Sequence, residues 1–172
     1  MFFRFLGFFL SLFCVPHALK ADPLALAADA PRLDVVLHDG STVNLGSAYD
    51  AGTVLVYFYP KADTPGCTAQ ACSLRDAFAT LGDQGVRVFG ASGDKPEKQA
   101  AFREKHKLPF DLIADDKGKL MGAFGVPNFA NISARQAFLV RDGKIVWRDT
   151  KASTEKQAQD VIAALATLPA AK

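Results

Sequence analysis

The chain is poor in the residues that build metal centres and disulfide scaffolds. Its 172 residues hold three cysteines and three histidines. With no Cys-x-x-Cys and no His-x-x-x-His, a zinc site has no ligand spacing to rest on. There is no long Lys/Arg run, so nucleic acid finds no electrostatic footprint. No apolar run reaches the ~20 residues that a bilayer-spanning helix requires. Internal repeats and low-complexity tracts are absent as well. What is there is a chain that is 49% hydrophobic, enough for one substantial core and short for two.

The small counts shrink further at the N-terminus. A short basic start, Met1-Phe2-Phe3-Arg4, runs into the apolar residues 5–15, then Pro16 and an alanine-bearing segment. This is the pattern of a secretory signal peptide, residues 1–21, cut after Ala18 or Ala21. Ala25-Leu26-Ala27 satisfies the small-residue rule better but lies far from the apolar run. Phe13, which is not a small residue, precedes Cys14, so no lipid-attachment box is present. Removal at Ala21 takes away Arg4, Lys20 and Cys14, leaving 18 basic against 18 acidic residues and a formal charge of 0 in place of +2. The expectation is an exported protein, in a bacterial periplasm, with no stable membrane association once the leader is gone. Thiols there meet oxidising conditions.

Two cysteines then remain, and the chain is arranged around them. Residues 53–59, Thr-Val-Leu-Val-Tyr-Phe-Tyr, read as a buried central strand. Pro60 ends it, since proline cannot continue the ladder. Asp63-Thr64 offer helix-capping side chains before Pro65, a residue pre-shaped for the first helical position. With Thr64 as N-cap, Cys67 becomes the third residue of the helix, where unpaired N–H groups and the positive end of the macrodipole favour an anion. The thiolate is the reactive form of a cysteine. On an intact helix Cys67 and Cys72, five apart, have Cα atoms roughly 8–9 Å apart, beyond disulfide reach. Bonding them requires the helix to unwind locally, as in a redox switch. Two unrelated core cysteines remain the alternative.

Either side of this stretch the periodicities give an α/β order. Residues 22–32 are expected as a flexible tail and 33–172 as one domain. Two short strands flank an Asp39-Gly40 turn. After Cys72 one helix continues through Leu74, Ala77, Phe78 and Leu81 to Gly82-Asp83. A strand (86–91), a charged helix from Pro96 to about Lys107, a strand (110–114) and a short helix (117–124) follow. A hairpin (135–140 and 144–147) and a helix (154–168) complete the chain. His38 reads as a solvated turn residue. His106 lies in a charged last turn with no partner at ligand spacing.

Pro60-x-x-x-Thr64-x-x-Cys67 resembles the active-site motif of peroxiredoxins. The fuller pattern Tyr57-Phe58-Tyr59-Pro60-Lys61, Thr64-Pro65-Gly66-Cys67-Thr68, Ala71-Cys72 and Arg75-Asp76 is similar to the bacterioferritin-comigratory, or Q-type, subfamily, as are Asp111 to Asp115, Ala123 to Val126 and Arg135 to Val140. One departure is Ser92 to Lys98, which lacks the serine-rich form of that subfamily. The resemblance implies a thioredoxin-like three-layer α/β/α sandwich with an added N-terminal β-hairpin. It also implies a thiol peroxidase acting on hydrogen peroxide and organic hydroperoxides, with Cys67 as nucleophile and Cys72 as resolving thiol. Thr64 and Arg135 become donors to the peroxide and Pro60 a shield. No cofactor is needed; the partners are a hydroperoxide and a thioredoxin-like reductant, and the subfamily suggests a monomer. Two other classes stay open. A thiol–disulfide exchange enzyme of the same fold would want Cys-x-x-Cys, and Gln70 stands at the required position; a non-enzymatic domain would have inert cysteines.

Overall fold

The apolar stretch Thr53–Phe58 buries every one of its residues, and a strand buried on both faces needs a covering layer on each side. The computed structural model describes residues 22–169. In chain order the elements are β1 (Asp34–Val36), β2 (Thr42–Asn44), α1 (Leu45–Ala51), β3 (Thr53–Phe58), α2 (Pro65–Asp76), α3 (Phe78–Asp83), β4 (Val86–Ser92), α4 (Pro96–Lys105), β5 (Asp111–Ala114), α5 (Lys119–Ala123), β6 (Asn128–Phe129), β7 (Ile132–Ser133), β8 (Gln136–Arg141), β9 (Lys144–Asp149) and α6 (Gln157–Thr167). The main sheet runs β5-β4-β3-β8-β9. Strands β3, β4 and β5 are parallel, and β8 and β9 are antiparallel additions beside β3.

Strand alternation sorts the core into two halves. Val54, Val56 and Phe58 face a core shared with Leu45 of α1, Leu120 of α5 and Val35 of the β1–β2 hairpin. Leu55, Tyr57 and Tyr59 face the other, with Cys67 and Leu74 of α2, Leu81 of α3, Phe102 of α4 and Val161 of α6. This is the expected thioredoxin-like three-layer α/β/α fold with its added hairpin.

Several local expectations are corrected. The helix after Cys72 is not continuous: it breaks at Ala77 (φ −99°, ψ 9°). The restart at Phe78 brings that ring to 6.1 Å from the ring of Phe110, centroid to centroid. Residues 45–51, where the sequence pattern places no helix, form α1, because the Asn44 side chain accepts the Ser47 N–H at 2.9 Å and caps it. The β6–β7 hairpin was also unforeseen; both its turn residues, Ala130 and Asn131, have positive φ. Residues 22–32, expected as a flexible tail, instead lie against the sheet edge. Ala27 and Ala30 donate to the Ile145 and Gly143 carbonyls, both at 2.8 Å, and Leu24 donates to Phe124 at 3.1 Å. Arg148 donates to the Pro23 and Leu24 carbonyls, both at 2.8 Å. These bonds cover the outer edge of β9, which would otherwise be open for pairing. The leader expected over residues 1–21 lies outside the described residues, as do residues 170–172 of the expected domain.

Beyond β5 the chain turns on a buried carboxylate. Asp115 accepts the backbone N–H groups of Leu120 at 3.0 Å and Met121 at 2.8 Å, while burial pushes its carboxyl up from the ordinary value. Replacing Asp115 with alanine leaves two donors at a buried helix start without partners. The expected loss is about 2 kcal/mol, measured by denaturant unfolding; Asp115→Asn, which retains one acceptor, should lose less.

Candidate active site

The site begins where β3 runs out. Tyr59 still donates to the Ala91 carbonyl at 3.0 Å, but Pro60 has no N–H to offer, so pairing stops. The loop 60–64 then reverses the chain. Asp63 takes a left-handed conformation (φ 62°), uncommon for a residue with a side chain, and is held there from α4. Lys105 Nζ reaches its carboxylate at 2.8 and 3.0 Å, and His106 Nε2 lies 2.8 Å from Oδ1. These partners, His106 first, hold the Asp63 carboxyl below its ordinary value. The loop is fixed from a second side by Asp94, whose Oδ2 accepts the Ala62 N–H at 2.6 Å and the Ser92 hydroxyl at 2.9 Å. The segment that departs from the subfamily pattern therefore supports the loop ahead of Cys67.

Thr64 is the N-cap residue and Pro65 the first residue of α2, placing Cys67 third, as the sequence predicts. The cap is a backbone one. The Thr64 carbonyl accepts the Thr68 N–H at 2.8 Å, whereas its hydroxyl donates to the Lys61 carbonyl at 3.0 Å and makes no capping bond. The N–H groups of Gly66 and Cys67 are therefore among the donors that a helix start leaves without intrahelical partners.

Cys67 is buried, 1% exposed, yet it touches a cation. Arg135 Nη2 donates to Cys67 Sγ at 3.4 Å. Sheet register explains the meeting: Phe58 pairs with Gln136 across the β3–β8 boundary, so the residue before Gln136 emerges beside the start of the loop. Gly66 lets the guanidinium approach, since a Cβ there would lie 3.3 Å from Arg135 Nη2 and 3.2 Å from Thr154 Cγ2. The other arm of the fork, Nη1, donates to Gln70 Oε1. Gln70 sits one turn after Cys67 and is fully buried. Its Nε2 donates to Gln157 Oε1 at 2.8 Å.

The structure thus brings Cys67 and Arg135 into contact and places Thr64 and Pro60 on the loop leading to them. Among the described residues no hydrogen bond joins Thr64 to Cys67. Pro60 is half-buried and lines a cavity of about 210 Å³ with Lys61, Asp94 and Ile132. Cys72 is half-buried within the intact α2, and both described cysteines are free thiols. Sequence reasoning missed Gln70 as a partner of Arg135, treating it only as evidence against Cys-x-x-Cys. Its i, i+3 spacing from Cys67 was the available signal.

A buried sulfur beside a permanent cation and open backbone donors is equipped to carry negative charge and pass it to a neighbouring oxygen. Similarity to known proteins supplies the reaction class. The AhpC/TSA family model matches residues 26–148, and the protein is a thiol-dependent peroxidase of the peroxiredoxin class. Peroxiredoxin Bcp of Escherichia coli K12 is 48% identical over 105 residues, 61% of this chain and 67% of that protein. Chloroplastic peroxiredoxin Q of Suaeda salsa is 35% identical over 136 residues, 76% of this chain and 63% of its own length. The chain belongs to the peroxiredoxin Q/Bcp family. Among solved structures, the peroxidoxin BcpB of Mycobacterium tuberculosis superposes with a TM-score of 0.78 at 26% identity, covering 84% of this chain and 97% of that one. The bacterioferritin comigratory protein of Xanthomonas campestris, described for its alkyl peroxide reduction activity, gives 0.73 at 28% identity, covering 84% and 98%.

Proposed function

We propose that Cys67 is the peroxidatic nucleophile and Cys72 the resolving thiol of an atypical two-cysteine cycle. The observation that carries this is the Arg135 guanidinium 3.4 Å from a buried sulfur at the third position of a helix. The Cys67 thiolate attacks the outer oxygen of a hydroperoxide; an S–O bond forms, the O–O bond breaks, and the inner oxygen leaves as water or alcohol after taking a proton. Arg135 stays against sulfur and oxygen throughout, stabilising charge as it moves from one to the other. Thr64 turns its hydroxyl from the Lys61 carbonyl to the peroxide, and Pro60 limits water at the pocket. Cys67 is left as a sulfenic acid.

Cys72 then attacks the sulfenic sulfur. An S–S bond forms, and hydroxide leaves with the thiol proton as water. This step needs α2 to open, because the two cysteines stand five positions apart on an intact helix. A thioredoxin-type dithiol returns both thiols by accepting the oxidation itself. Hydrogen peroxide and alkyl hydroperoxides are the substrates, the latter supported by the activity described for the Xanthomonas relative. Both thiols of the cycle lie on one helix, so the cycle can close within one chain, in keeping with the monomer that the subfamily resemblance implies.

The protein works after export. The basic start and apolar residues 5–15 form the leader, and the periplasm is its destination. A cut after Ala27 would remove the bonds that Leu24 and Ala27 make to Phe124 and Ile145, which favours the sites at Ala18 or Ala21. N-terminal sequencing of the periplasmic protein should therefore start at Leu19 or Asp22; a cytoplasmic protein beginning at Met1 would contradict export. Cys67→Ser should abolish peroxide-driven oxidation of a thioredoxin-type reductant. Cys72→Ser should reduce about one equivalent of peroxide and then stall. Normal turnover by Cys67→Ser would remove the assignment.

A further inference from the structure

Gln157 opens α6 and is 0% exposed. Its Oε1 accepts from Gln70 Nε2 at 2.8 Å, and its own Nε2 has no partner among the described residues. Burying an amide with unpaired donors is unfavourable, and a leucine of similar size would fill the space without that cost. Packing alone therefore does not account for glutamine here.

The link to Arg135 does. A primary amide can present either its oxygen or its NH2 in one direction, and a guanidinium offers only donors. If Gln70 turned its NH2 to Arg135, donor would face donor. The acceptor supplied by Gln157 engages the Gln70 NH2 and so fixes its oxygen towards Arg135 Nη1. A second bond joins the same two helices, Ala158 N–H to Ser73 Oγ at 3.1 Å. Gln70 and Ser73 bracket Cys72, so the turn of α2 that must open for the cysteines to meet is the turn fastened to α6.

We propose that Gln157 is a positioning residue that acts through Gln70 on Arg135. The α2–α6 link is a latch: closed, it keeps the guanidinium on Cys67; parted, it frees Cys72 to reach the oxidised sulfur. This rests on the peroxidase reading above. Loss of the latch should move the two chemical steps in opposite directions, which a purely structural residue would not do.

The test uses the full chain, hydrogen peroxide as probe, and rapid-quench mass spectrometry that counts sulfenic acid and disulfide separately. Gln157→Leu is expected to slow Cys67 oxidation about threefold to tenfold, the range of one hydrogen bond, and to speed disulfide formation. In a Gln70→Leu background the same substitution should leave Cys67 oxidation unchanged, since residues in one network are not additive. Gln157→Met, closer in length and lacking the amide, serves if the leucine variant does not fold. If the unmodified chain reacts but the Gln157 variants match it within twofold in both steps, the latch is overturned alone. The latch is likewise overturned if the effect on Cys67 oxidation persists without Gln70. A chain that forms no sulfenic acid with peroxide overturns the peroxidase reading and this proposal with it.

Discussion

The contact between the Arg135 guanidinium and Cys67 Sγ is what the rest of the architecture serves. It joins the start of an α-helix to the start of an antiparallel strand, 68 residues apart in the chain. The contact exists because β3 is central: its C-terminal end launches the loop into α2 on one side and lies against β8 on the other. A half-buried cation needs acceptors, and the sulfur and Gln70 Oε1 provide one to each arm. Remove the antiparallel addition of β8 and β9 to the parallel sheet and the helix start has nothing to face.

The proposed cycle adds a second constraint, a conflict between its two steps. The first requires a rigid α2, with Cys67 in its first turn and Gln70 aligned; the second requires α2 to come apart. The helix is fastened at several points outside the sheet. Asp63 before it is tied to Lys105 and His106, and Arg75 near its end donates to the His106 carbonyl at 2.9 Å. Gln70 and Ser73 are tied to α6. These polar ties add to the burial of Ala71 and Leu74 in the core, so opening α2 must part both. The break at Ala77 ends α2 on the C-terminal side.

Much of this was legible in the sequence wherever the signal was local. The strand 53–59, the stop at Pro60 and the helix opening at Pro65 follow from residue type and spacing, and they fix Cys67 as the third helical residue without any tertiary information. Gln70 as a partner of Arg135 did not, because its two partners lie 65 and 87 residues away and an amide carries no periodic signature. Asp63 was read as a cap; its left-handed backbone and its pairing with the end of α4 depend on the fourth element after it. Helix α1 was hidden by Gly46, which belongs there because Arg32 crosses over it: a Cβ would sit 2.7 Å from Arg32 Nε. The stretch 22–32 lacked a period, yet it is ordered by backbone bonds to β9, and backbone bonds leave little trace in side-chain pattern.

The central claim is that Cys67, beside the Arg135 guanidinium, is the sulfur that peroxide oxidises. Mass spectrometry of the chain quenched with a sulfenic-acid trap after one equivalent of hydrogen peroxide tests it most directly. The account predicts the adduct on Cys67 in Cys72→Ser, formed more slowly when Arg135 is replaced by alanine. Peroxide consumption that leaves Cys67 unmodified, or an adduct on Cys72 alone in the unmodified chain, would contradict it.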